Sequence, residues 1–533
     1  MSILATMFFR WTQLLALAML VLPVVSEIVQ GQGPVSKPAR PHLLWITCED
    51  TGVQLGCYGD AFATTPTIDA LASRGMRMAR CWSNAPVCAP ARTTIISGLW
   101  PTSTGSMHMR SEVRAPNGFL MYPQYLRQAG YYCTNNAKED YNLATPDPIW
   151  DESSPRAHWR KRGKDQPFFA IFNIQISHES NIRTRPHVAV HDPGRASVPG
   201  YHPDLPEVRQ DWAQYYDKVT EMDKQVGKIL AELEADGLAD QTIVFFYGDH
   251  GTGMPRGKRW LYQSGLHVPM VIHVPPQFRE WVGPAYKSAS VNPEMVSFID
   301  LAPTVLSLAG APIPSHLQGR AFLGPGRQPL AEGQPQYLHG FRDRMDERYD
   351  CARAVRDDRY LYIRNWMPHR PQGQYLAYMF QTPTTRAWQK AFLAGKTTPA
   401  QSRFWLPKTS EELYRIDMDP DQLENLVQLD AAGKHNVAPE HQAALERLRA
   451  VHRQWTIQTC DLGLLPESDI QKQNQTQAPW VLGHDPSRYP IQRLYEAADV
   501  ATRTGTRDAL SDLIKDSDAT VRYWGATGYL VQA

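Results

Sequence analysis

His42-Leu-Leu-Trp-Ile-Thr-Cys48 is an apolar run that stops abruptly at Glu49-Asp50, and its reading decides the fold class. Two further runs repeat the pattern. Phe168-Phe-Ala-Ile-Phe-Asn-Ile174 leads to His178, and Thr242-Ile-Val-Phe-Phe-Tyr247 is followed by Gly248-Asp249-His250-Gly251. Apolar character that is continuous rather than alternating marks strands covered on both faces, as in a parallel sheet. Helical signals lie between them. Residues 67–73 carry Ile68, Leu71 and Ala72 and end near Gly75, while residues 211–230 carry Trp212, Tyr215, Tyr216, Val219, Met222, Val226 and Ile229 at helical spacing. The expected fold is α/β, a large central, mostly parallel sheet flanked by helices. Such sheets bind ligands outside the carboxyl ends of their strands. All three runs deliver Asp, Glu or His there, which reads as a metal site, or else as loop solvation and helix capping.

Moving outward, 533 residues with 42% hydrophobic content allow a principal domain and one or two smaller units. Lys and Arg total 55 against 54 Asp and Glu, and a net charge of +1 lacks the basic excess of a nucleic-acid binder. Arg10, the apolar stretch 14–22 and Ser26 after Pro23 have the layout of a signal peptide over 1–26, with a Gly/Pro-rich linker over 27–40. The apolar stretch is shorter than the ~20 residues of a membrane span. The alternative is an uncleaved anchor. With the leader removed, no stable span is expected, and the protein would be periplasmic or secreted. The seven cysteines include no C-x-x-C pair and are too sparse for a disulfide scaffold.

Between the first two runs stands Cys88-Ala-Pro-Ala-Arg92-Thr-Thr-Ile-Ile-Ser-Gly98. This stretch resembles the hallmark of the sulfatase family, C-x-P-x-R with a Gly six residues after the Arg. The resemblance extends through Glu49-Asp50, Lys138, His178, Asp249-His250 and Gly257-Lys258-Arg-Trp-Leu-Tyr262, and a typical closing motif follows at Glu412-Leu-Tyr-Arg-Ile-Asp-Met-Asp-Pro-Asp421. It implies an alkaline-phosphatase-like catalytic domain over 41–355 and a smaller antiparallel-sheet domain over 356–460. It also implies a formylglycine (3-oxoalanine) made from Cys88 by a maturation enzyme, and a calcium ion held by Glu49, Asp50, Asp249, His250 and the modified Cys88. Arg92 would clamp the aldehyde hydrate, Lys138 and Lys258 would hold sulfate oxygens, and His178 would meet the leaving group. Glu49 stands where Asp is commoner, and His250 where many members have Asn.

One departure concerns Ala137-Lys138-Glu139-Asp140, which lacks the histidine usually found two residues after the lysine. Asp140 or His108 would take its place. His108 and the stretch Tyr337-Leu-His339-Gly-Phe-Arg342-Asp-Arg344-Met-Asp346-Glu347 resemble polysaccharide and heparan N-sulfatase-like members. There His108, His339, Arg342, Arg344 and Asp346 would meet a sulfated sugar. The implied substrate is a sulfated glycan. The alternatives are an N-sulfoglucosamine (sulfamate) linkage, a small aryl sulfate, or a phosphatase-like hydrolase. Beyond residue 460, a Gln-rich linker (461–484) and a separate helical unit (485–533) similar to a HEAT repeat are expected, with Asp518-Ala-Thr-Val-Arg-Tyr-Trp524 as its most repeat-like part.

Overall fold

The computed structural model describes residues 40–144, 147–331, 333–334, 336–429, 435–503 and 506–533. The expected signal peptide and all but the last residue of the first linker lie outside the described residues. The central sheet contains β1 (His42–Cys48), β2 (Met76–Trp82), β3 (Tyr132–Asn136), β4 (Glu152–Ser153), β5 (Phe168–Ile174), β6 (Thr242–Gly248), β7 (His267–Val268), β8 (Met270–His273) and β9 (Ser290–Ser297). Its order is β9-β2-β8-β6-β1-β5-β3-β4, with β7 added to β2. Only β7 and β8 run antiparallel to their neighbours. The three decisive runs are the adjacent strands β6, β1 and β5, all parallel.

Side-chain alternation explains why these runs are apolar throughout. Leu43, Trp45, Phe169, Ile171, Ile243 and Phe245 enter one core cluster, while Leu44, Ile46, Phe168, Ala170, Val244 and Phe246 enter another on the opposite face. The helix Pro206–Ala235 seals the second face through Trp212, Tyr215, Val219, Met222 and Val226. On the first face lies the helix Cys88–Ser97, in which every residue is buried. Its hydroxyls are accommodated locally: Thr93, Thr94 and Ser97 each donate to the carbonyl four residues back.

A second sheet is antiparallel, ordered β10 (Leu338–Arg342), β11 (Ala352–Arg356), β12 (Tyr360–Asn365) and β13 (Glu411–Arg415). Because Leu338 pairs with Arg356 and Arg342 with Ala352, this sheet begins before residue 356. The expected boundary therefore cuts through it. The helix Pro439–Gln458 packs against this sheet through Leu445 and Leu448.

The segment directly beyond 460 also differs from expectation. Residues 461–484 are not an extended linker but carry the turns and helices Leu462–Leu464, Glu467–Asn474 and Pro479–Gly483. Leu462, Leu464, Leu465 and Ile470 are buried in the same cluster as Trp45. The tail helices Ile491–Arg503, Arg507–Ile514 and Ala519–Gln532 add Leu494, Ala498, Leu510, Val521 and Trp524 to it. Trp524 Nε1 donates to Leu464 O at 3.0 Å, and Arg364 Nη2 donates to Thr502 Oγ1 at 2.7 Å. A Cβ at Gly528 would lie 2.3 Å from the Leu510 side chain and 3.0 Å from Ala501 O, so any larger residue would make Leu510 move and crowd this close helix approach. The tail is continuous with the body, and residues 40–533 form one compact unit. Its apolar face is covered because Trp366, Leu464 and Tyr489 supply the partners that a single helical pair lacks.

Candidate functional site

Strand register gathers the polar residues. Cys48 is level with Ile174 on β5 and Gly248 on β6, and Asn136 on β3 is level with Phe172. Glu49-Asp50, Asp249-His250, His178 and Lys138 therefore leave the sheet along one edge. The strand ends are tied together: Glu49 N donates to Ile174 O, Asp249 N to Cys48 O, and Asp50 N to Asp249 Oδ1, all at 2.9–3.0 Å. Asp50 has a left-handed backbone (φ 49°), a conformation that Asp tolerates better than most residues. One carboxylate oxygen, Oδ2, accepts from Glu179 N at 2.7 Å.

Around Asp50 the contacts are dense. His250 Nε2 lies 3.0 Å from Asp50 Oδ1 and 3.6 Å from Asp249 Oδ1. Lys258 Nζ lies 3.0 and 3.1 Å from the two Asp50 oxygens, 3.1 Å from Glu179 Oε1 and 3.2 Å from His178 Nε2. Lys138 Nζ is 2.6 Å from Glu49 Oε1, and Arg92 Nη2 is 3.2 Å from Asp249 Oδ2. Cys88 opens its buried helix, whose first-turn N–H groups have no intrahelical partner and give that end partial positive charge. The ligand atoms of Cys88, Asp249 and His250 lie within 4.8 Å of one another, as do those of Glu49, Asp50 and His178. Side chains of Lys138 and His178 keep 17% and 22% of their surface exposed, whereas Asp50 and His250 are fully buried. The mouth is therefore on the Lys138–His178 side.

Electrostatics follow from this packing. Burial pushes the Asp50 carboxyl up, but Lys258, His250 and His178 outweigh it and hold Asp50 well below the usual carboxylate range. Asp249 is likewise raised by burial and lowered further by His250, Arg92 and Lys138. Burial alone would lower His250, yet Asp249 and Asp50 lift it to about 10. Burial also works against charge on Lys258, and Asp50, Cys88 and Glu179 reverse this, raising it well above an ordinary lysine. His178, where burial is the largest effect, is lowered.

These residues fit a cation. His250 Nε2 is buried without a well-aligned hydrogen bond, although it sits within 3.6 Å of two carboxylates. A metal at this point would satisfy the nitrogen and the converging oxygens together. Three carboxylates make the donor set oxygen-rich, as a hard cation prefers. The Cys88 Sγ marks where an oxygen of the modified residue would stand.

The structure places the remaining expected residues elsewhere in the network. His108 is fully buried, its Nδ1 accepts from Arg344 N at 3.3 Å, and burial lowers it to about 4. The neighbouring Met109 packs with Cys88 and Met345, so this segment forms the wall behind the nucleophile position. His339 stacks on Trp455 (4.7 Å, 14°) and meets Trp100 edge-on, as a packing residue of the core. Arg342 is buried over Trp260 and paired with Asp350. Arg344 grips Glu467 through two bonds at 2.7 and 2.8 Å. Arg342 is thus buried beside Asp350, Arg344 is held by Glu467, and His339 is covered by Trp455 and Trp100. Asp346 pairs with Arg259, which is bonded in turn to Glu179. That places it in the ring of charges around Lys258. Asp140 does reach the site, with Oδ2 3.7 Å from Lys138 Nζ.

Three participants escaped the sequence reading. Glu179, held at about 2 by Arg259 and Lys258 against the upward push of burial, bridges both cations. Arg259 was hidden beside Lys258 in the same motif. Asn173 takes Arg92 Nη1 at 2.6 Å while donating to Asn135 Oδ1 and Asn136 O. The available signal was a lone amide within an otherwise apolar strand.

Residues 41–311 match the sequence model of the sulfatase family. The ulvan-active sulfatase of Formosa agariphila is 37% identical over 484 residues, spanning 81% of this chain and 77% of that relative. The chain belongs to the sulfatase family. The human N-sulphoglucosamine sulphohydrolase is 25% identical over 489 residues, covering 79% of this chain and 91% of its own length. Among solved structures, a phosphonate monoester hydrolase from Silicibacter pomeroyi superposes with TM-score 0.56 at 17% identity, covering 80% of this chain and 97% of its own. A protein solved with its substrate D-glucosamine-2-N,6-O-disulfate gives 0.55 at 16%, covering 79% and 98%. At these identities the likeness establishes the alkaline-phosphatase-like fold. As a sulfatase, the enzyme is a sulfuric ester hydrolase, and the family generally works with a metal ion and a formylglycine. Among the described residues, no helix is long and apolar enough to cross a membrane.

Proposed function

We propose that this sulfatase removes sulfate from a sulfated carbohydrate, using formylglycine made from Cys88 and a calcium ion held by Glu49, Asp50, Asp249 and His250. The observation that carries this reading is the convergence of Cys88, Asp249 and His250 within 4.8 Å at one sheet edge, beside Arg92, Lys138 and Lys258. When present, the aldehyde hydrate supplies a hydroxyl nucleophile and the metal polarises a sulfate oxygen. The chain's own residues do the rest. Arg92, anchored by Asn173 and Asp249, fixes the nucleophile's surroundings. Lys138, beside Glu49, and Lys258, beside Asp50, stabilise negative charge as the S–O bond breaks. His178 lies toward the mouth, where its Nε2 can give a proton to the departing alcohol. Asp140, next to Lys138, takes the place of the missing histidine, and His108 acts as a wall residue.

The carbohydrate reading is supported by the names of the relatives, which act on ulvan and N-sulphoglucosamine. An amino-terminal leader would route the protein to the periplasm or the exterior, where a maturation enzyme and polymeric substrates meet it. The test joins peptide mass analysis of residue 88 with free-sulfate release from defined sulfated oligosaccharides. Cys88→Ala should lose at least about 10³-fold in turnover, as loss of a covalent nucleophile does. Full activity in protein shown by mass to carry an unmodified thiol would overturn the mechanism.

A further inference from the structure

Most cations around the site are already matched to carboxylates. Arg92 meets Asp249, Lys138 meets Glu49, Lys258 meets Asp50, and Arg259 meets Glu179 and Asp346. Arg185, a little further along the chain, meets Asp211. Arg183 differs. It caps the short helix Glu179–Ile182, five residues after His178, and among the described residues no carboxylate lies within ion-pair distance of it. Its guanidinium lies 4.4 Å over the Tyr378 ring, and its Nη1 is buried with no hydrogen-bond partner. The Tyr378 ring is itself 6.2 Å from the His178 ring, on the leaving-group side of the mouth.

The second element is held firmly. Ala377 N donates to Glu347 Oε1 at 2.7 Å, and the loop carrying Glu347 also carries Met345, which packs on Cys88, and Asp346, which pairs with Arg259. Tyr378 is therefore fixed relative to the catalytic cluster, and the cation–π stack fixes the plane of Arg183. The stack engages the face of the guanidinium and leaves its N–H edge without an ion-pair partner among the described residues. That edge is a planar fork suited to two oxygens of one anion.

We propose that Arg183, oriented by Tyr378, binds a second anionic group of the substrate, a carboxylate or an additional sulfate on the sugar that leaves past His178. The inference rests on the carbohydrate reading of the site and narrows it to polyanionic glycans. Arg183 is then a specificity determinant, and Tyr378 a positioning residue.

The experiment measures kcat/KM of wild type, Arg183→Gln and Arg183→Lys on matched pairs. One arm compares a sulfated uronate-containing disaccharide with its carboxyl-reduced form. The other compares a disulfated hexosamine with its monosulfated counterpart. The readout is the charged-to-neutral ratio within each pair, which a partly unfolded preparation leaves unchanged. Arg183→Gln should lower the ratio about 10- to 100-fold in one arm, mainly through KM, and that arm identifies the anion. Arg183→Lys should restore part of it. Ratios equal to wild type in both arms would overturn the role of Arg183 alone. Turnover of an aryl sulfate by wild type with none of the glycans cleaved would overturn the carbohydrate reading and this inference with it.

Discussion

Replacing Trp524 by Ala tests whether the carboxyl-terminal helices belong to the catalytic body. Trp524 is 1% exposed and packs in the cluster that contains Trp45 and Leu464, far from the tail in sequence. Truncating a buried Trp to Ala costs about 3–5 kcal/mol through lost transfer energy and the cavity left behind. Its Nε1 bond to Leu464 O adds about 0.5–1.5 kcal/mol. The sum is about 3.5–6.5 kcal/mol, a large part of the about 5–15 kcal/mol by which most domains are stable. Urea unfolding should be followed by far-ultraviolet circular dichroism and, in parallel, by sulfate release after dilution into assay buffer. Both transitions should move together to lower urea, because the tail and the body share one core. Ile514→Ala, at a residue 40% exposed, serves as the control and should shift stability by no more than about 0.5 kcal/mol. A Trp524→Ala protein that loses tail helicity in a separate early transition, with the activity midpoint unmoved, would refute the shared core.

Two further outcomes follow from the site. Stripping divalent metal should abolish turnover and lower the thermal unfolding midpoint, with calcium restoring both, since the ion would tie together the buried ligand atoms that converge from Asp50, Asp249 and His250; an unchanged midpoint after verified removal counts against the site. Asn173→Ala removes the acceptor that orients Arg92 and should lower kcat about 10- to 100-fold, as loss of a charge-assisted bond does; a kcat within two-fold of wild type would mean that Asp249 alone suffices to orient Arg92.

How much of this was legible beforehand depends on the range of the interactions involved. The three apolar runs declared a sheet buried on both faces because the alternation of β1 sends Leu43 and Trp45 to one cluster and Leu44 and Ile46 to the other. The same local logic put Glu49-Asp50, His178 and Asp249-His250 at strand ends, and parallel register then aligned them. The C-x-P-x-R stretch marked Cys88 and Arg92 through its resemblance to the sulfatase hallmark. A residue's partner far along the chain leaves no such local trace. Arg344 read as a sugar-binding fork until folding supplied Glu467, and His339 as a sugar contact until Trp455 covered its ring. Arg183 drew no notice among its charged neighbours, and only tertiary structure sets it over Tyr378 with no carboxylate partner among the described residues. Polar composition made 461–484 look like a linker, although four apolar side chains, Leu462, Leu464, Leu465 and Ile470, anchor it in the main core. Local periodicity determined the sheet and the acidic and histidine residues at its strand ends, and the family motif singled out Cys88. Tertiary packing decided which charges are spent on one another and which remain to meet a substrate, because a charge is neutralised by whatever folding brings within a few ångströms of it.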